Sequence, residues 1–188
     1  MRTNLIESYI DMLQKSLGLI KPPVEEEKLR DLYDSRNFGG MVSHIQETLR
    51  LDMKIRLGYV SKGGPKDAPA WVERPIDMPF YNSSEFRQTT VVVYLRKTFL
   101  RNGNFEEAVL AISHELSHIV LDAIKHPLRM HEIAVDLTAM LLGFRDFYVT
   151  GCQTAEPSIS GNPYEIRSIG YLTPEEVSHA AKYMTFRK

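Results

Sequence analysis

Cysteine is almost absent from this chain: Cys152 is the single one among 188 residues, so no intramolecular disulfide can form. Such sparing use of thiols suits a reducing compartment and predicts a cytoplasmic protein. A long apolar run is missing as well. No stretch approaches the roughly 18 apolar residues that a membrane span needs. The opening residues, MRTNLIESYIDML, place Glu7 and Asp11 where a secretory leader would be uninterruptedly apolar. Nor is there an excess of charge, since 23 basic and 24 acidic residues leave a net charge of -1. A chain without a global field has no electrostatic reason to seek nucleic acid or an anionic membrane, and neither partner is predicted. Internal repeats and low-complexity tracts are lacking too. The remainder is ordinary globular composition, 43% hydrophobic and 25% charged. At this length it predicts one domain, residues 1–188, with a substantial core.

The periodicities divide that domain into three stretches. Residues 1–50 read as helical. Leu5, Ile6, Tyr9, Ile10, Leu13 and Leu17 recur at helical spacing before Gly18, and Leu29, Leu32 and Tyr33 stripe a charged second helix. Gly39-Gly40 is expected to break it, with a third short helix from Met41 to Leu49. Residues 51–150 begin with strands. Met53, Ile55, Leu57 and Tyr59 alternate with Lys54, Arg56, Gly58 and Val60. Pro69, Pro75 and Pro79 confine any strand over residues 70 to 81 to a short piece or an edge. TTVVVYL, from Thr89 to Leu95, is the densest β-branched run. Asn104 with Glu107 forms a capping-box pattern that opens a helix from Phe105 to about Ala123, and another helix follows from Met130 to Phe144. In residues 151–188, a Gly-, Ser- and Pro-rich loop over 151–170 precedes a helix that starts at Thr173-Pro174-Glu175-Glu176. Helices, then strands, then helices give an α+β fold with a small antiparallel or mixed sheet.

The chemistry concentrates in HELSH. His114 and His118 are four residues apart, so both imidazoles leave one face of the Phe105 helix and can share a metal ion. Glu115 lies about 100° round that helix. It can reach a metal-bound water without ligating the metal, and serves as the catalytic base: zinc lowers the water's pKa to about 7 and the carboxylate takes its proton. The helix itself, AVLAISHELSHIVL, is apolar nearly all round, and two histidines and a glutamate are costly there unless something pairs with them. The following helix, also apolar, carries Glu132 and Asp136 on one face. Glu132 is assigned as the third zinc ligand, and Asp136 as the hydrogen-bond acceptor that orients a ligand histidine.

HELSH followed by Glu132-x-x-x-Asp136 resembles the gluzincin class of zinc metallopeptidases. The stretch Glu132-Ile-Ala-Val-Asp136-Leu-Thr-Ala-Met-Leu-Leu is similar to the corresponding helix of the compact bacterial ImmA/IrrE-type peptidases. The resemblance spans about Val91 to Phe144. It implies a minimal gluzincin fold, Zn2+ held by His114, His118 and Glu132, Glu115 as general base, and endopeptidase activity on specific intracellular proteins. Two other readings compete. A zinc-stabilised regulatory or protein-binding module would not need Glu115, and a hydrolase of non-peptide amides would differ in its substrate profile.

Further residues are weighed as candidates. His126 and His131 flank Pro127 and read as loop or cap residues, because a catalytic zinc takes three protein ligands and keeps one position open. Tyr148, Tyr164, Tyr171 and His179 are each able to donate to a developing oxyanion. Cys152 has no activating context. The strand near Val91 to Tyr94 is expected to form the rim of the active-site groove and to pair with an extended peptide through a free edge.

Overall fold

The computed structural model describes residues 2–18, 20–65, 68–157 and 164–185. It has an α+β architecture, in which N-terminal helices precede a small mixed sheet. Helix α1 (Thr3–Leu17) buries Ile6, Ile10 and Leu13, one residue per turn, and ends where Gly18 takes a φ of 86°. Helix α2 (Glu26–Asp34) buries Leu29, with Glu26 and Glu27 in the first turn, where the helix dipole favours acids. Helix α3 (Phe38–Thr48) starts three residues earlier than the Gly39-Gly40 pair suggests. The Asn37 side chain caps the Gly40 N–H at 2.9 Å. A Cβ on Gly40 would collide with Leu32, so the glycine permits close packing of α2 on α3 and does not end a helix.

Strands β1 (Lys54–Val60), β2 (Ala70–Glu73) and β3 (Thr90–Arg96) form a sheet of order β1-β3-β2. β3 runs parallel to β1 and antiparallel to β2. Its Val91, Val93 and Leu95 are buried. The expectation that Val91 to Tyr94 offers a free edge is therefore overturned: the strand is central and paired on both sides. High β-branched density suits a strand that is covered by neighbours, and the edges of this sheet are β1 and the short, proline-flanked β2. Helix α4 (Ser84–Gln88), capped by the Ser83 hydroxyl at 3.0 Å, leads into β3, and α5 (Lys97–Asn102) leads out of it.

Helix α6 (Phe105–Ala123) runs through the core. Its capping box is complete: Asn104 Oδ1 accepts from the Glu107 N–H at 2.8 Å, and Glu107 Oε2 accepts from the Asn104 N–H at 3.2 Å. Helix α7 (Glu132–Ala139) is shorter than the sequence suggests. It passes into a π-helical turn over Met140–Phe144 and then into α8 (Arg145–Gly151). Gly143 explains the change of register. It adopts a φ of 114°, with the Pro22 carbonyl where a Cβ would stand. The α1–α2 connection docks there, donating Lys21 N–H to Leu141 O and Val24 N–H to Gly143 O, both at 3.0 Å.

The loop expected over 151–170 instead contains an antiparallel hairpin, β4 (Gln153–Pro157) paired with β5 (Tyr164–Ser168). The Gly, Ser and Pro that suggested a loop cluster between the two strands, at 158–163, outside the described residues. Helix α9 (Pro174–Thr185) begins at Thr173 as expected. Thr173 Oγ1 accepts from Glu176 N–H at 3.3 Å, and Glu176 Oε2 accepts from Thr173 N–H at 3.1 Å. α9 packs on α1. Among the described residues no helix is long and apolar enough to cross a membrane.

Glu176 does more than cap α9. Its buried carboxylate receives Arg2 Nε at 2.8 Å and Arg2 Nη2 at 2.7 Å, a bidentate pair tying the two ends of the chain together. Arg2 and the Thr173 backbone hold the Glu176 carboxyl down at about 2, against a burial effect that raises it. A depressed carboxyl adds stability above the ordinary glutamate pKa and loses it as pH falls towards 2. Glu176→Gln is expected to cost about 1.5–3 kcal/mol in urea unfolding at pH 7, the usual cost of losing hydrogen bonds to a charged group. The difference from the parent should shrink as the pH is lowered from about 5 towards 2. A pH-independent difference between the two proteins would assign the stabilisation to the cap geometry alone.

Candidate metal centre

His114 and His118 leave α6 on the same side and meet Glu132, the first residue of α7. His114 Nε2 lies 3.2 Å from Glu132 Oε2, and His118 Nε2 lies 3.3 Å from it. The ligand atoms of the three side chains all fall within 4.8 Å of one another. The imidazole rings are 5.0 Å apart and nearly perpendicular, at 86°. Glu132 Oε2 is buried and completes no hydrogen bond of good geometry, although both imidazoles are in ion-pair range. Two buried histidines and a half-buried glutamate thus turn their ligand atoms towards one another.

Such a group could hold a metal ion. With Zn–N and Zn–O bonds of about 2.0–2.2 Å, the ligands of a tetrahedral ion sit roughly 3.3–3.6 Å from each other. The two contacts to Glu132 match these edges closely. Asp136 fits as well. It is fully buried, one turn beyond Glu132 on α7, and its Oδ1 accepts from His114 Nδ1–H at 2.8 Å. That bond directs the lone pair of His114 to Nε2, the nitrogen facing Glu132. Burial lowers the pKa of His114, but the hydrogen bond to Asp136 and the close contact with the Glu132 carboxylate outweigh it and push the value up to about 10. The contacts with His114 and then His118 lower the Glu132 carboxyl far below its ordinary range. Both shifts mark a place where positive charge is stabilised, whether as a proton or as a cation that displaces it.

Glu115 lies beside this cluster. Burial raises its pKa, while the two imidazoles and a hydrogen bond from the Val72 backbone pull it down. Val72 belongs to β2, so the edge of the sheet that β3 does not cover faces α6 and the site. A cavity of about 340 Å³ opens over His114 and Glu115, between Ala70 of β2 and the Ile169–Tyr171 segment, with Ala111 of α6 in its lining.

The structure brings together His114, Glu115, His118, Glu132 and Asp136 and leaves the flanking histidines out. His126 is buried, and its Nδ1 accepts from the Leu128 N–H at 3.1 Å. His131 precedes α7 and meets the Tyr9 hydroxyl at 3.2 Å. His179 pairs with Glu7 at 2.9 Å, away from the cluster. Tyr148 reaches the site from behind: its buried hydroxyl donates to Asp136 Oδ1 at 2.9 Å and is committed there. The Tyr164 side chain lies outside the described residues. Tyr171 is exposed in the cleft, with its ring stacked on His114 at 5.7 Å. One contact has no sequence signal, the Tyr171 N–H on Asp136 Oδ2 at 2.6 Å. Its donor is a backbone group, which side-chain patterns do not encode. No family model, no curated protein and no solved structure matches this chain.

Proposed function

We propose that this chain is a zinc-dependent endopeptidase of the gluzincin type, acting on specific intracellular proteins from the cytoplasm. The observation that carries the reading is the approach of His114 Nε2 and His118 Nε2 to Glu132 Oε2, at 3.2 and 3.3 Å, with Asp136 behind one ligand and Glu115 beside the cluster. Bound there, zinc supplies Lewis acidity and a water acidic enough to lose its proton near neutral pH. The protein residues do the rest. His114 is fixed in one tautomer by Asp136, so its ring does not have to reorganise during reaction. Glu115, beside β2, takes the proton of the attacking water and delivers it to the leaving amine. The free edge of β2 offers backbone hydrogen bonds to an extended peptide, which would lie across Glu115. The adjoining cavity, walled by Ala70, Ala111 and Ile169, accepts an apolar side chain next to the scissile bond.

The test is cleavage of a proteome-derived peptide mixture by the zinc-loaded protein, with products read by mass spectrometry. Chelator-sensitive hydrolysis of internal peptide bonds is expected, with a preference for apolar residues on one side of the cut. A fully zinc-loaded protein that cuts no peptide in such a mixture would end the endopeptidase reading. It would favour a regulatory module or an amidase.

A further inference from the structure

We infer that Gly170 and Tyr171 form a backbone latch that positions the metal ligand His114 through Asp136, and so couples the β4–β5 hairpin to the metal centre. The inference rests on the metal-site reading above and adds a control element to it. Asp136 has three hydrogen-bond donors around one buried carboxylate. His114 and Tyr148 share Oδ1, and both belong to the helical layer. The third donor comes from 35 residues further along the chain: Tyr171 N–H reaches Oδ2 at 2.6 Å, the shortest of the three.

The residue before it is suited to this contact in two ways. Gly170 has a φ of 92°, which side-chain-bearing residues rarely adopt. A Cβ at Gly170 would stand 3.0 Å from Asp136 Oδ2 and 3.3 Å from Oδ1. Glycine therefore supplies both the turn and the room for the carboxylate. One residue earlier, Ile169 N–H donates to Cys152 O at 3.1 Å and closes the base of the hairpin. Hairpin base, Gly170, Asp136 and His114 thus follow one another without a gap. A shift of the hairpin moves the Tyr171 amide and, through Asp136, the ring that ligates the metal. The Tyr171 ring, stacked on His114, moves with it.

Linkage makes the coupling measurable from either end. Whatever factor the closed latch adds to zinc affinity, zinc adds to the closure of the latch. Outer hydrogen-bond partners of metal ligands are commonly worth about 10–100-fold in affinity. Hydrogen exchange of the Tyr171 amide in the full-length protein is therefore expected to slow by about 10–100-fold on zinc loading. Gly170→Ala should raise the zinc dissociation constant by a similar factor, and so should Asp136→Asn. The double variant should be little worse than the weaker-binding single one, because both changes break the same contact. Tyr171→Phe keeps both the N–H and the stacked ring and should leave zinc affinity within about threefold. Zinc uptake with a Tyr171 amide indifferent to the metal overturns the latch alone, as do single effects that multiply in full. A parent protein that takes up no zinc overturns the metal centre and the latch together. The exchange measurement needs no variant, so it decides the matter even if Gly170→Ala fails to fold.

Discussion

His118→Ala should leave the purified protein with less than about a tenth of an equivalent of zinc, where the parent holds one. The expectation follows from how few donors there are. His114, His118 and Glu132 are the only group of three His, Cys, Asp or Glu side chains among the described residues with ligand atoms close enough to hold one ion. Removing His118 leaves one imidazole and one carboxylate, and no nearby histidine can substitute. His126 accepts from the Leu128 N–H, and His131 is turned towards Tyr9. The stability consequence has a definite sign. Zinc at about 100 times its dissociation constant adds roughly 2.7 kcal/mol to the folded parent. That zinc-dependent rise in melting temperature should vanish in His118→Ala. The metal-free variant should be no less stable than the metal-free parent by more than about 1–2 kcal/mol, because the His118 Nδ1 is buried without a partner among the described residues. His126→Ala is the control, expected to lose stability but keep zinc. Near-stoichiometric zinc in His118→Ala would place the metal elsewhere.

How much of this was legible beforehand follows from where each signal resides. HELSH is readable because two ligands and a base lie within five residues of one helix, so spacing alone sets their relative geometry. Glu132 and Asp136 are readable by cost, since carboxylates on an apolar helix require partners. The partners of Asp136 were harder. Tyr148 is a candidate hydroxyl donor in the sequence, but its target lies 12 residues back across a π-helical turn that the sequence does not announce. Tyr171 contributes through its amide, which every residue other than proline possesses. The sheet shows the same division. TTVVVYL is plainly a strand, but its β-branched density marks a strand covered on both sides, not the free edge expected of it. The edge at β2, AWVE, spans four residues, too few for alternation to register, and the prolines around it are the better clue. Gly39-Gly40 misled in the opposite direction. A glycine that allows Leu32 to approach cannot be told from one that ends a helix until both helices are in place.

Glu115→Gln is expected to abolish hydrolysis by about two to four orders of magnitude, while zinc content and fold are retained. The amide matches the carboxylate in size, so the side chain can keep its position. It cannot take a proton from water. The loss should therefore fall on kcat, with KM for a cleavable peptide little changed. Stability should move the other way. Burial raises the Glu115 carboxyl pKa, which means that the folded protein pays to keep this group charged. An uncharged amide removes that cost, so the metal-free variant should melt at the same temperature as the metal-free parent or higher. A stabilising substitution that destroys activity is the pattern of a residue kept for chemistry. It also separates the peptidase from a structural zinc site, in which Glu115→Gln would gain stability with nothing to lose. Glu115→Asp sharpens the result: it keeps the carboxylate but withdraws it by one methylene, and should retain part of the activity that the amide lacks. Native-rate cleavage by Glu115→Gln would remove Glu115 from the mechanism and leave the site without a base among the residues that line it.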